Sequence, residues 1–348
     1  MTFDTVHTLL TDAQADGAFP AAVVEVGRAT GPIWSNAVGR LTFDEGASPA
    51  TPDTIFDLAS LTKVIATTSI AMRQMASGRL GLETRFAQLL PAWRSEDREA
   101  VVVRQVLDHS SGLPAHARLW ERAQGRGEYE PILASLPLEY APGSKSIYSD
   151  PGFILLGFAL ADAGGAPLDR QFAALARDEF PGLTFLPAQD RGRIAPTERD
   201  PWRGRVLQGE VHDENAAALG GVAGHAGLFG TAADVGAFAR LVLRTFREET
   251  ALGAPPAMAL FATKTGVPGS SRALGWDTML PTSSCGTRLS ASAIGHTGFT
   301  GTSLWIDREQ DLYVVLLSNR VHPTRANDAF VRLRPRVHDA IADAIARG

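Results

Sequence analysis

The chain has 348 residues, 45% of them hydrophobic and 20% charged, with a formal net charge of −5; that length predicts one compact unit in two lobes around an ample core. The absence of a basic cluster leaves no electrostatic footprint for nucleic acid, and no uninterrupted apolar run reaches the roughly 18 residues that a membrane span needs. The single cysteine, Cys285, lies in the polar stretch Ser283-Ser284-Cys285-Gly286 and forms no internal disulfide.

Phe3, Val6, Leu9, Leu10 and Ala13 recur at helical spacing with acidic residues between them, so residues 1–17 predict a first helix and not a basic start followed by an apolar run. Together with the lone cysteine this predicts a cytoplasmic protein. Residues 21–26 (AAVVEV) and 34–39 predict two strands of a hairpin around Gly31-Pro32. Ser60 then opens a helix; its apolar and small residues go nearly all the way round over 61–75, which marks it as buried, and Gly78 stops it. Residues 81 to about 190 are rich in helical spacing, in three runs over 86–90, 104–107 and 153–185, broken at Gly112-Leu113-Pro114, Pro142-Gly143 and Gly164-Gly165. The stretch 211–230 (VHDENAAALGGVAGHAGLFG) is dense in glycine and predicts close backbone packing. A helix follows over 232–246. Residues 302–306 and 312–317 predict a second hairpin turning at Arg308-Glu309-Gln310-Asp311, and a helix over 327–346, with Asn327 at its N-cap, closes the chain. Hairpins near both ends imply an α+β fold: an antiparallel sheet built from the two termini and flanked by helices. Residues 1–80 and 191–348 would form the α/β lobe and 81–190 an inserted all-helical lobe, with the active site between them.

Only three lysines stand against thirty arginines, and Lys63 closes a Ser-x-x-Lys element with Ser60. Lysine, unlike arginine, can lose its proton inside a protein. Residues three apart on a helix share a face, so Ser60 and Lys63 would meet at the start of the buried helix as nucleophile and base. Burial lowers a lysine pKa, and the helix N-terminus favours negative charge developing at the serine. The plain alternative is an N-cap serine beside a surface lysine.

Two further motifs decide between these. Tyr148-Ser149-Asp150 and His296-Thr297-Gly298, together with Ser60-Leu61-Thr62-Lys63, resemble in order and spacing the three motifs of the serine β-lactamase and penicillin-binding-protein superfamily. The tyrosine motif resembles the class C, carboxylesterase family VIII and D-aminopeptidase side. The runs at 107–114 (LDHSSGLP), 209–235 and 274–278 (LGWDT) resemble penicillin-binding protein 4B-like serine hydrolases, and the likeness spans about residues 5–340.

The resemblance implies a β-lactamase/transpeptidase-like fold and a cofactor-free, metal-free hydrolase. Ser60 Oγ would attack an acyl carbon, and Tyr148, its phenol pKa pulled down by Lys63, would carry the proton to the leaving group and later activate water. Lys63 is the other candidate for the base. The backbone N–H groups of Ser60 and Phe299 would form the oxyanion hole, and Asp150, His296, Thr297 and Gly298 would bind substrate.

This chain departs from the family pattern at two of those positions. Asp150 stands where many members carry asparagine; a carboxylate only accepts hydrogen bonds, which weakens recognition of an amide carbonyl, and it would hold Lys63 charged. His296 stands at the usual lysine of Lys-Thr-Gly, so its anchoring of a substrate carboxylate would fade as pH rises. A substrate without a carboxylate, such as a small-molecule ester, therefore fits better. The expected activity is esterase-like, with a D-amino-acid peptidase or weak β-lactamase as the alternative, and a penicillin-binding or sensory module without turnover as the alternative of another class.

Lys264-Thr265-Gly266 matches Lys-Thr-Gly literally but leads into a loop, whereas His296-Thr297-Gly298 leads into the hairpin. His212 and His225 predict hydrogen bonding to the glycine-rich loop and not a zinc site. Asp108 and His109 predict a structural turn.

Overall fold

The computed structural model describes residues 2–187 and 191–347. Its central element is a six-stranded sheet in the order Gly31–Gly39, Ala21–Arg28, Leu312–Ser318, Thr302–Asp307, Ile294–Gly298, Asp277–Thr278, with every pairing antiparallel. Strands from the two ends of the chain meet at its centre, where Val24 lies opposite Leu316. This is the α+β architecture that the two hairpins predict.

The strands at the centre read as continuous apolar runs because both faces of the sheet are covered. Side chains alternate between faces with a period of two. Ala22, Val24, Val26, Val314 and Leu316 pack with the terminal helices Asp4–Ala15 and Ala329–Ala346. Ala21, Val23, Val315 and Leu317 enter the larger cluster that holds the helix Ala232–Thr245 and the helices of residues 86–176. Fully burying one of these valine or leucine side chains contributes about 1.5–3 kcal/mol.

Three local expectations shift. The first hairpin turns at Ala29-Thr30 and not at Gly31-Pro32, because a bulge at Val26/Gly27 sets Gly27 opposite Pro32; proline lacks an N–H and is tolerated there because its strand lies at the sheet edge. The last helix starts at Ala329, and Asn327 Oδ1 accepts from the Ala329 N–H at 3.1 Å from just outside it. The helix of the third run begins at Asp150, ahead of its apolar residues, because Ser149 caps it by accepting from the Gly152 N–H at 3.1 Å.

The buried helix after Ser60 opens with a wide turn: Lys63–Thr68 is π-helical and continues as the α-helix Ser69–Ala76. The side chains of Thr68 and Ser69 donate to the carbonyls five residues earlier, Lys63 O at 2.7 Å and Val64 O at 3.2 Å. Such local widening is frequent at functional sites. Gly78, at φ 70°, ends the helix in the left-handed conformation that glycine adopts without strain.

Candidate active site

Ser60 is held on a constrained elbow. Ala59 just before it has φ 47°, a conformation that a residue with a Cβ adopts only when its surroundings impose it. Buried Asp57 supplies the constraint: Oδ1 accepts from the Ala59 N–H at 2.8 Å and Oδ2 from the His212 N–H at 2.6 Å. The turn after the third motif and the start of the next strand are stitched to the same elbow, since Thr300 Oγ1 donates to Asp57 O at 2.7 Å and Thr302 Oγ1 to Leu58 O at 3.0 Å.

Gly298 makes that approach possible. A Cβ there would lie 2.6 Å from Leu58 O and 3.2 Å from the Ala59 Cβ, so only glycine lets the two backbones come so close. The peptide after it is fixed by Arg320, whose Nη2 donates to Phe299 O at 2.8 Å. Among the described residues neither the Ser60 N–H nor the Phe299 N–H has a protein acceptor. Two free N–H groups flanking a serine can receive the negative oxygen of a tetrahedral intermediate.

Lys63 spends all its donors. Its ammonium donates to Ser60 Oγ at 3.1 Å, to Asp150 Oδ1 at 2.7 Å and to His225 O at 3.1 Å. Three bonds exhaust an ammonium group, so in this arrangement the lysine has no lone pair with which to take a proton from serine. Burial by itself would lower its pKa, but the Asp150 charge, aided by Tyr148, carries it above the ordinary 10.5. Of the two sequence expectations, burial lowering the lysine and Asp150 holding it charged, the second is borne out and outweighs the first. Burial would likewise raise the Asp150 carboxyl, yet Lys63 and His116 hold it well below the ordinary carboxylate range.

Tyr148 lies against the same cluster, with the Lys63 ammonium 4.7 Å from its ring centre. Its hydroxyl is buried and makes no hydrogen bond in this arrangement. Burial pushes the phenol above 10, and the opposing pull of Lys63 does not overcome it. The sequence expectation of a lowered phenol is therefore corrected: desolvation outweighs one ammonium whose charge Asp150 largely neutralises. The tyrosine is placed by the turn at His109, a residue at φ 61°. His109 Nδ1 accepts from the Ser149 N–H at 3.0 Å and His109 O from the Ile147 N–H at 3.0 Å. Asp108 and His109 thus hold backbone, as the sequence suggested.

His296 is buried with its ring 5.7 Å from that of Tyr148. Burial first, then the positive charges of Arg272 and Lys63, push its pKa well below 6.5. It is neutral throughout the physiological range, so the partly charged anchor expected from the sequence is absent. The literal Lys264-Thr265-Gly266 lines a separate groove with Asp108 and Ser110. His212 bonds Glu198 at 2.9 Å and His225 bonds Asp213 at 2.7 Å, and no metal-ligating cluster occurs among the described residues.

These groups line a cleft of about 650 Å³ that contains Ser60, Tyr148, Asp150, His296, Thr297 and Gly298. Phe299 forms an apolar wall of the cleft, stacked on His212 at 5.6 Å. The cleft also carries residues that sequence reading missed. Arg272, Arg320 and Arg334 line it, and none has a carboxylate partner among the described residues. Arg334 is buried with an unsatisfied Nε, and burial lowers its pKa to about 10. Arginines are common in this chain, so no local pattern singles these out. His116, beside Asp150 at the rim, belongs to no motif either.

The Beta-lactamase family profile matches residues 6–335. The chain belongs to the beta-lactamase family. Among similar members of this family, the Escherichia coli (strain K12) protein named "Putative D-alanyl-D-alanine carboxypeptidase" is 33% identical over 320 residues, 78% of this chain and 70% of that protein. The N-acetylmuramyl-L-alanine amidase of Bacillus subtilis (strain 168) is 32% identical over 312 residues, 77% of this chain and 68% of that one. Among solved beta-lactamase-like folds, simvastatin synthase from Aspergillus terreus superposes with a TM-score of 0.78 at 18% identity, covering 99% of this chain and 98% of that one. EstCE1, a hydrolase with promiscuous acyltransferase activity, gives 0.74 at 22% identity, covering 96% and 98%. The family is one of serine-type hydrolases, and among the described residues no single helix is long and apolar enough to cross a membrane.

Proposed function

We propose that this chain hydrolyses acyl-D-amino acids bearing a free carboxylate, such as the C-terminal residue of a D-amino-acid peptide, through an acyl-enzyme on Ser60. The observation that carries this reading is the set of cleft guanidinium groups, Arg272, Arg320 and Arg334, which lack carboxylate partners among the described residues. A buried cation without a counter-ion is costly, and a substrate carboxylate would supply one. The case for a substrate without a carboxylate rested on His296; Arg272 stands beside that neutral imidazole and can supply the missing charge. The name borne by the Escherichia coli relative points the same way.

In this reading Ser60 Oγ attacks the carbonyl carbon, the oxyanion is received by the Ser60 and Phe299 N–H groups, and the C–N bond breaks as the amine leaves with the serine proton. Lys63 stays charged and Tyr148 relays the proton, because the ammonium has no free lone pair. Protons are shared within the Lys63–Tyr148 pair, so the active base form belongs to the pair. Water, activated by the same tyrosine, then releases the acid.

Ester hydrolysis is the second reading. Both Asp150 oxygens are taken, by Lys63 and by His116, so Asp150 offers an amide substrate no donor, and an ester needs less help. A peptide ending in D-Ala-D-Ala, its C-terminal amide and a p-nitrophenyl ester separate the readings. Cleavage of the free acid at least about tenfold faster than the amide supports the proposal. Equal rates on acid and amide, with a much faster ester, overturn it in favour of the esterase. A stable penicillin adduct on Ser60 with no turnover of any substrate would make the chain a binding module instead.

A further inference from the structure

Asp150 has a second oxygen that the pair with Lys63 leaves open. Oδ2 lies 2.8 Å from His116 Nδ1. An ionised carboxylate only accepts, so the imidazole donates. The three groups run in a line from solvent to the nucleophile: the His116 side chain is 71% exposed, Asp150 13% and Lys63 0%. Two bonds sew the loop that carries His116 to the segment it faces, Asp150 N–H to Ala115 O at 3.0 Å and Ser149 Oγ to Pro114 O at 2.7 Å. The contact is therefore built into the backbone and is not a chance pose of a surface side chain.

We propose that His116 is a positioning residue of the acylation machinery: its imidazolium occupies the outer oxygen of Asp150 and sets how firmly that carboxylate holds Lys63 and opposes ionisation of Tyr148. The inference rests on the reading of Ser60 as nucleophile.

The charged groups that act on the imidazole are Asp150, Lys63 and Asp213, with Arg118 on the same loop at the cleft wall. The hydrogen bond to Asp150 raises the His116 pKa above 6.5; partial burial and Lys63 oppose it, and the Asp150 and Asp213 charges add to it. A positive charge at this position makes every proton of the Lys63–Tyr148 pair easier to remove. Once His116 is neutral, the full charge of Asp150 acts on the pair and the proton leaves at higher pH.

His116→Gln keeps a donor for Oδ2 and removes the charge. Its kcat/KM at pH 5.5 is expected to fall about 3–10-fold, while at pH values above the imidazole titration followed by NMR, where the wild-type side chain has lost its charge, the two enzymes should agree within about twofold. The same factor at every pH would mean a merely structural role, and superimposable profiles would mean no role; either overturns the proposal. A second measurement needs no turnover: the His116 imidazole, followed by NMR, should titrate above 6.5 and move back toward that value in Asp150→Asn. An unmoved titration also overturns it. Failure of the nucleophile reading shows separately, as turnover that survives Ser60→Ala.

Discussion

The Lys63 ammonium and the Asp150 carboxylate lie 2.7 Å apart, brought together across 87 positions of chain, with the lysine wholly buried. Each group is moved in the direction that keeps the pair ionised, Lys63 up and Asp150 down. Removing one member leaves the other charged and unpaired, so Asp150→Ala is expected to lower stability by about 3–5 kcal/mol in urea unfolding at pH 7. The pH dependence has a definite sign. The contribution of Asp150 is present above the ordinary carboxylate pKa and is lost as pH falls through its depressed folded value; that of Lys63 is present below 10.5 and is lost as pH rises through its raised one. Between pH 5 and pH 3 the wild type should therefore lose more stability than Asp150→Asn, and equal losses would show that the pair is not linked to folding.

Loss of the hydroxyl at position 60 is expected to reduce kcat by about 10³–10⁶, with no labelling by a fluorophosphonate probe and an unchanged unfolding curve. Retained labelling would place the nucleophile elsewhere.

Tyr148→Phe removes the hydroxyl proposed to relay the proton and preserves the ring that packs on His109 at 4.7 Å. A fall in kcat of about 10²–10⁴ is expected. Because burial keeps this phenol above its ordinary 10, as it does those of Tyr129, Tyr140 and Tyr313, the ultraviolet titration of the wild type minus that of the variant should show one tyrosine ionising above 10, and kcat/KM should rise with pH through neutrality. A profile that falls over pH 6–8 would contradict a base formed by proton loss from the Lys63–Tyr148 pair.

Gly298→Ala would set a Cβ 2.6 Å from Leu58 O and push the Phe299 N–H away from Ser60. The loss of one oxyanion donor is worth about 10²–10³ in kcat. KM should change far less, and a variant with wild-type kcat would remove Phe299 from the oxyanion hole.

Arg334→Met exchanges a buried, unpaired cation for an apolar side chain of similar length. KM for a free-acid D-peptide should rise about 10–100-fold while KM for a neutral ester stays within about twofold; stability should hold or increase, since the cation lacks a counter-ion. Equal effects on acid and ester would detach this arginine from carboxylate recognition. Lys264→Ala, in the separate groove, should leave both unchanged.

Local spacing and alternation determine much of this protein. The continuous apolar runs at 21–26 and 312–317 specify strands covered on both faces, and a three-residue spacing puts Ser60 and Lys63 on one face of a helix. The in-order tyrosine and His-Thr-Gly motifs bring the rest of the candidate cleft into view. Charge states were decided only by the tertiary structure, because a pKa depends on burial and on partners from distant segments. The charge of Asp150 outweighs burial at Lys63, desolvation reverses the expected direction at Tyr148, and Arg272, beside buried His296, can supply the charge that the imidazole does not carry. The arginines of the cleft and the histidine at its rim have no periodicity or motif to mark them. They matter through what they face, and that is settled by how segments far apart in the chain pack.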